Sequence, residues 1–174
     1  MEYVVPACRC VLGVVFLVAL FGKLRRHTAF SELVATIGVM APVPARFLRP
    51  LAVAVIVGET AVLLAMLSAR TASFGFALAI AMLSAFVIGI ARTIRRGVPS
   101  RCHCFGSSDV PLGLRHIVRN GALIAVAVAG LGGFTMGPRA IPAPAGVLLS
   151  VVAGLLLATL FVRFDELVDV FSTS

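Results

Sequence analysis

Two cysteine pairs, each with one intervening residue, carry the clearest capacity for chemistry in this sequence: Cys8-Arg9-Cys10 and Cys102-His103-Cys104. The second sits in a polar stretch, Arg96 to Ser108, that also holds Gly97, Pro99, Ser100 and Gly106. The thiolate is the nucleophilic form of cysteine, and neighbouring positive charge favours it. Arg101 and His103 flank Cys102 directly, so they are the residues expected to tune it. Two thiols one residue apart close a small, strained ring on oxidation, and strained disulfides are the exchange-competent kind. A dithiol that cycles between reduced and oxidised forms is therefore the chemistry this spacing points to. Glycines at 97 and 106 would allow sharp turns that leave the sulfurs accessible.

Other readings of the cysteines stay open. Cys102, His103 and Cys104 are soft ligands but form an incomplete site for zinc, so no metal site is expected. The alternative is a carrier of a thiophilic ion such as Cu(I), which tolerates two sulfur ligands. Cys8 and Cys10 begin the first apolar block, where side chains two residues apart on a helix diverge by about 200°. They are either a second redox pair or ordinary interface residues.

The elements that must position these groups follow from composition. Of 174 residues, 60% are apolar and 13% are charged, with mean hydropathy +1.11. A soluble domain has about 45–50% apolar and about 25% charged residues, so this chain cannot cover a water-facing surface. A cytosolic enzyme, a disordered tail and a secreted disulfide scaffold are excluded. The net charge of +8 would suggest nucleic acid in a soluble domain, but here the basic residues fall between apolar blocks. Nucleic acid is therefore not an expected partner; the lipid bilayer is.

Five blocks approach the length of about 20 residues needed to cross the hydrocarbon layer, at about 5–22, 51–69, 72–91, 120–134 and 145–162. Backbone groups must be satisfied within lipid, so the blocks should be helices. The expected fold is all-α: one membrane domain over residues 1–174, a transmembrane bundle with a four-helix core plus one further helix. The first block reads as a retained helix, because its basic cluster (Lys23, Arg25, Arg26) follows the apolar run, the reverse of a signal peptide. The loop 23–50 contains an apolar-periodic stretch (Phe30, Leu33, Val34, Ile37) that could form a short interfacial helix. The loop 92–119 carries the second cysteine pair.

Charge sets the expected threading. Lys23, Arg25, Arg26, Arg46 and Arg49 lie in the first loop, and Arg92, Arg95, Arg96, Arg101, Arg115 and Arg119 in the third. With Arg163 these make twelve basic residues on one side of the membrane. Only Arg9, Arg70 and Arg139 lie on the other. The positive-inside rule places the N-terminus outside and the C-terminus in the cytoplasm of a multi-pass inner (plasma) membrane protein. Cys102 and Cys104 then face the cytoplasm.

Glu59 lies within the second block, about 13 Å from its start at 1.5 Å per residue. An ionised, unpaired acid at that depth is costly, so it should face the bundle interior. Lys23 is the expected partner, since its long stem can bridge a difference in depth. The functional reading is a proton relay or a quinone-contacting acid; the plainer one is a structural ion pair.

The motif Cys102-His103-Cys104-Phe105-Gly106 resembles the Cys-x-Cys-Phe-Gly signature of the MauE family, which is related to DoxX-like membrane proteins. Phe21-Gly22-Lys23, Glu59 and Arg119-Asn120 support the resemblance, which covers most of the chain through the order and spacing of its helices. His103 departs from the glycine usual there. The resemblance implies a redox-associated membrane protein that assists disulfide formation or maturation of a partner. The family's namesake is linked to maturation of the disulfide-rich subunit of methylamine dehydrogenase, and so to methylamine metabolism. The implied partners are a thioredoxin-like protein or a disulfide-containing client, and electrons would pass to or from one of these or a membrane quinone, in a direction the sequence does not fix. Such maturation occurs outside the cytoplasm, opposite to the side that the charge count gives the dithiol. A non-catalytic membrane assembly factor is the remaining alternative.

Overall fold

The computed structural model describes residues 3–25, 28–41, 43–97, 114–135 and 143–164. They form six helices: α1 (Val4–Leu24), α2 (Ala29–Met40), α3 (Ala45–Leu67), α4 (Ala72–Arg95), α5 (Leu114–Thr135) and α6 (Pro144–Val162). There is no strand among the described residues. All but α2 are long and apolar enough to cross a membrane.

Local chemistry accounts for where the helices begin and end. Gly97 adopts a φ of +66°, the left-handed conformation that commonly stops a helix, and its amide donates to Ile94 at 3.0 Å. Pro144 opens α6, where a missing N–H costs nothing. Two helices start earlier than the apolar blocks read from the sequence. α3 begins at Ala45 and continues through Pro50, which near a helix start forfeits a single backbone bond. α5 begins at Leu114, so Arg115, His116 and Arg119 lie on its first turns. The apolar-periodic part of the first loop is α2, which packs on α3.

The bundle is organised around α1, which packs against α2, α3, α5 and α6, while α4 bridges α3 and α5. Helices in lipid gain no hydrophobic drive from one another, so close contact rests on van der Waals fit and small residues. Val11, Leu12, Val15 and Phe16 of α1 meet Val62, Phe76, Leu83 and Leu123 in one buried cluster. Phe76 also tilts against Phe134, with ring centroids 6.1 Å apart. Glycines allow helices to approach closely at several points. A Cβ at Gly130 would lie 2.4 Å from the Phe76 ring, and one at Gly154 would lie 2.9 Å from both Ala7 O and the Cys10 Cβ. The outer surface is apolar, with Leu148, Leu149, Leu156 and Leu160 of α6 exposed as a lipid-facing face would be.

Candidate functional site

The inward stripe of α1 runs Cys8, Leu12, Val15, Ala19 and Lys23, the spacing of three and four residues that keeps one helical face turned inward. Lys23 ends this stripe, so its ammonium is drawn into the bundle. The corresponding stripe of α3 is Ala52, Glu59, Val62 and Met66. The two charged residues meet: Lys23 Nζ donates to Glu59 Oε1, and both side chains are almost wholly buried. Desolvation of each charge is offset chiefly by the other, so the pair holds α1 and α3 in a fixed relation.

The carboxylate is only half satisfied. Glu59 Oε2 is buried and has no hydrogen-bond partner among the described residues. The pair lines a cavity of about 30 Å³ bounded by Phe16, Met82, Phe86, Ile90, Arg119 and Asn120, among others. That space suffices for a water molecule or one oxygen of a larger ligand.

α5 supplies the remaining polar groups. His116, Arg119 and Asn120 are buried, and with Leu123 and Ala127 they form one helix face. Four polar residues named in the sequence analysis (Lys23, Glu59, Arg119 and Asn120) thus converge from three helices on one cavity. The burial of His116 and the contribution of Met82 and Phe86 from α4 were not read from the sequence. The spacing 116, 119, 120, 123, 127 is the signal for His116. Nothing in the sequence marks Met82 or Phe86.

The first cysteine pair lies within unbroken α1 as free thiols. Cys8 is packed in the core, and the Cys10 thiol donates to Val151 O of α6 at 3.6 Å. Between them, Arg9 donates through Nε to Met66 O at 3.0 Å and through Nη2 to the same oxygen. That carbonyl is one of the last four of α3, which have no partner within their own helix. Arg9 is thus a side-chain cap that ties the start of α1 to the end of α3, a role the sequence reading did not assign.

Arg101, Cys102, His103, Cys104, Phe105 and Gly106 lie outside the described residues. Their segment joins α4, which ends at Arg95, to α5, where Arg119 and Asn120 lie one to two turns from the start. Among the described residues, no group of three or more His, Cys, Asp or Glu side chains is placed to hold a metal ion.

No curated protein and no solved structure matches the chain. The family described as Methylamine utilisation protein MauE matches residues 1–133, which span α1 to α5 short of the last two residues of α5. With well over half of its length matched and five helices able to span a bilayer, this multi-pass membrane protein belongs to the MauE family.

Proposed function

We propose that this MauE-like membrane protein is a thiol–disulfide redox component whose reactive groups are Cys102 and Cys104. The observation that carries the reading is the Cys-His-Cys-Phe-Gly motif in the segment between α4 and α5 of a MauE family member. One cysteine, as thiolate, attacks a disulfide of a thioredoxin-like protein or client, forms a mixed disulfide and releases one partner thiol. The second cysteine displaces the other partner thiol and closes the Cys102–Cys104 bond. The protein's dithiol is oxidised and the partner disulfide is reduced by two electrons; run backwards, the same steps oxidise a client. Arg101 and His103 favour the attacking thiolate by their charge and position. Phe105 and Gly106 complete the motif, and Lys23, Glu59, Arg119 and Asn120 form the intramembrane part of the site.

The test is capture of the intermediate. Replacing Cys104 by Ser removes the resolving thiol, so a mixed disulfide between Cys102 and a partner should accumulate in membranes. The complementary Cys102→Ser protein identifies which thiol attacks first. The double variant Cys102→Ser/Cys104→Ser should trap nothing; unchanged trapping by it would sink the proposal.

A further inference from the structure

A second cavity lies beside the polar one. It is a groove of about 230 Å³ between α3 and α4, lined only by apolar residues that include Leu51, Val55, Gly58 and Leu78. Leu51 and Ala54 at its edge are exposed on the face that a bilayer would cover. Met82 and Phe86 line both cavities, and so form the wall between them. Gly58, next to Glu59, lets that wall sit close: a Cβ there would meet the Met82 sulfur at 2.9 Å. Methionine is the most adaptable of apolar side chains, so Met82 is the part of the wall best able to give way to a ligand.

On one side of Met82 and Phe86 is a ring-sized apolar space facing lipid. On the other is room for one oxygen atom, bounded by Lys23, Arg119, Asn120 and Glu59, whose Oε2 has no hydrogen-bond partner among the described residues. We propose that the two together bind the headgroup of a lipophilic quinone entering sideways from the bilayer, its ring in the α3–α4 groove and one ring oxygen in the polar cavity. Lys23 and Asn120 are donors suited to a quinone carbonyl, and Glu59 Oε2 is an acceptor suited to the hydroxyl of the reduced form. A phospholipid headgroup fits less well, because its zwitterion exceeds the space and would carry its charges into an apolar groove.

The electron balance rests on the thiol–disulfide reading. Closing the Cys102–Cys104 bond releases two electrons and two protons, and a quinone takes up both to become a quinol. Binding itself does not depend on the cysteines, which allows the two ideas to fail separately.

The experiment uses the full chain in phosphatidylcholine nanodiscs with an azido derivative of decylubiquinone as photolabel. Saturable label is expected on peptides containing Gly58 or Met82–Phe86, displaced by unlabelled decylubiquinone and retained in Cys102→Ser/Cys104→Ser. The double substitution Lys23→Met/Glu59→Gln removes both charges at similar volume, and should weaken binding by about tenfold or more while the protein stays folded by gel filtration and thermal melting. Gly58→Leu, which leaves the ion pair in place, should block the groove and give the same loss. Label spread over the lipid face of α6, displacement by phospholipid alone, or wild-type affinity in a folded Lys23→Met/Glu59→Gln protein would each overturn the assignment. Mixed-disulfide trapping without quinone binding would leave the thiol chemistry standing and remove this site.

Discussion

Lys23 and Glu59 illustrate how one buried contact can be strongly required without being a large net source of stability. Each charge has left water for a bundle interior, and each is compensated chiefly by the other. Glu59→Ala strands an ammonium among Val15, Phe16 and Ala19, and Lys23→Met strands a carboxylate whose second oxygen already has no partner among the described residues. Breaking such a pair costs about 3–5 kcal/mol, whereas replacing both charges by groups of similar volume is often neutral. Either single variant is therefore expected to lower the midpoint of thermal unfolding in detergent by several degrees. Lys23→Met/Glu59→Gln should recover most of that loss. A double variant as unstable as the worse single variant would show that the two side chains do not compensate one another. Arg9 works differently at the other end of α1, since its guanidinium meets a backbone carbonyl and leaves no second charge to strand.

At the scale of elements, α6 is the helix with the least elaborate attachment. It lies beyond the residues matched by the family, packs chiefly on α1, and exposes leucines over most of its surface. Its seat is the notch at Gly154, where α1 presents Ala7 O and Cys10. Gly154→Leu cannot be housed by a side-chain shift alone, because the backbone oxygen of Ala7 is only 2.9 Å from the new Cβ. The variant is expected to detach α6 while α1 to α5 remain folded, read as loss of oxidative crosslinking between Cys10 and a cysteine introduced at Val151. Crosslinking at the level seen without Gly154→Leu would show that α6 is held by something other than this notch. The same elements show what could be read from the sequence. Lys23 falls in register with Val15 and Ala19, and Glu59 with Ala52 and Val62, so their inward direction was legible from spacing alone. The start of α5 was not, because hydropathy weighs composition and discounts a turn containing Arg115, His116 and Arg119 even when their spacing is helical. Nor was the role of Met82 and Phe86, which depends on α4 packing beside α3, a matter of neighbouring helices that no local pattern carries.

For the whole molecule, the decisive quantity is the distribution of positive charge. Lys23, Arg46, Arg49, Arg95 and Arg119 lie at or near the helix ends that meet on one side if the five long helices alternate in direction. Only Arg9 and Arg70 of the described residues belong to the opposite side, and Arg9 is already engaged by Met66. We propose from the twelve-to-three asymmetry and the positive-inside rule that the first side is cytoplasmic, in which case Cys102 and Cys104 would face a reducing compartment. Cys8 and Cys10 form an internal control, because α1 holds one in the core and the other against α6. On intact cells, a membrane-impermeant maleimide is expected to leave all four cysteines unmodified. After permeabilisation and reduction it should modify Cys102 and Cys104 and largely spare Cys8 and Cys10. In that orientation a client outside the cell can be served only by reducing equivalents that cross the bilayer, which gives an intramembrane carrier site between the helices a purpose. Labelling of Cys102 and Cys104 on intact cells would reverse the threading, place the dithiol beside its clients and remove the need for any such crossing. The comparison with and without reductant then decides a separate point, since a thiol that becomes reactive only after reduction was held as a disulfide in the membrane.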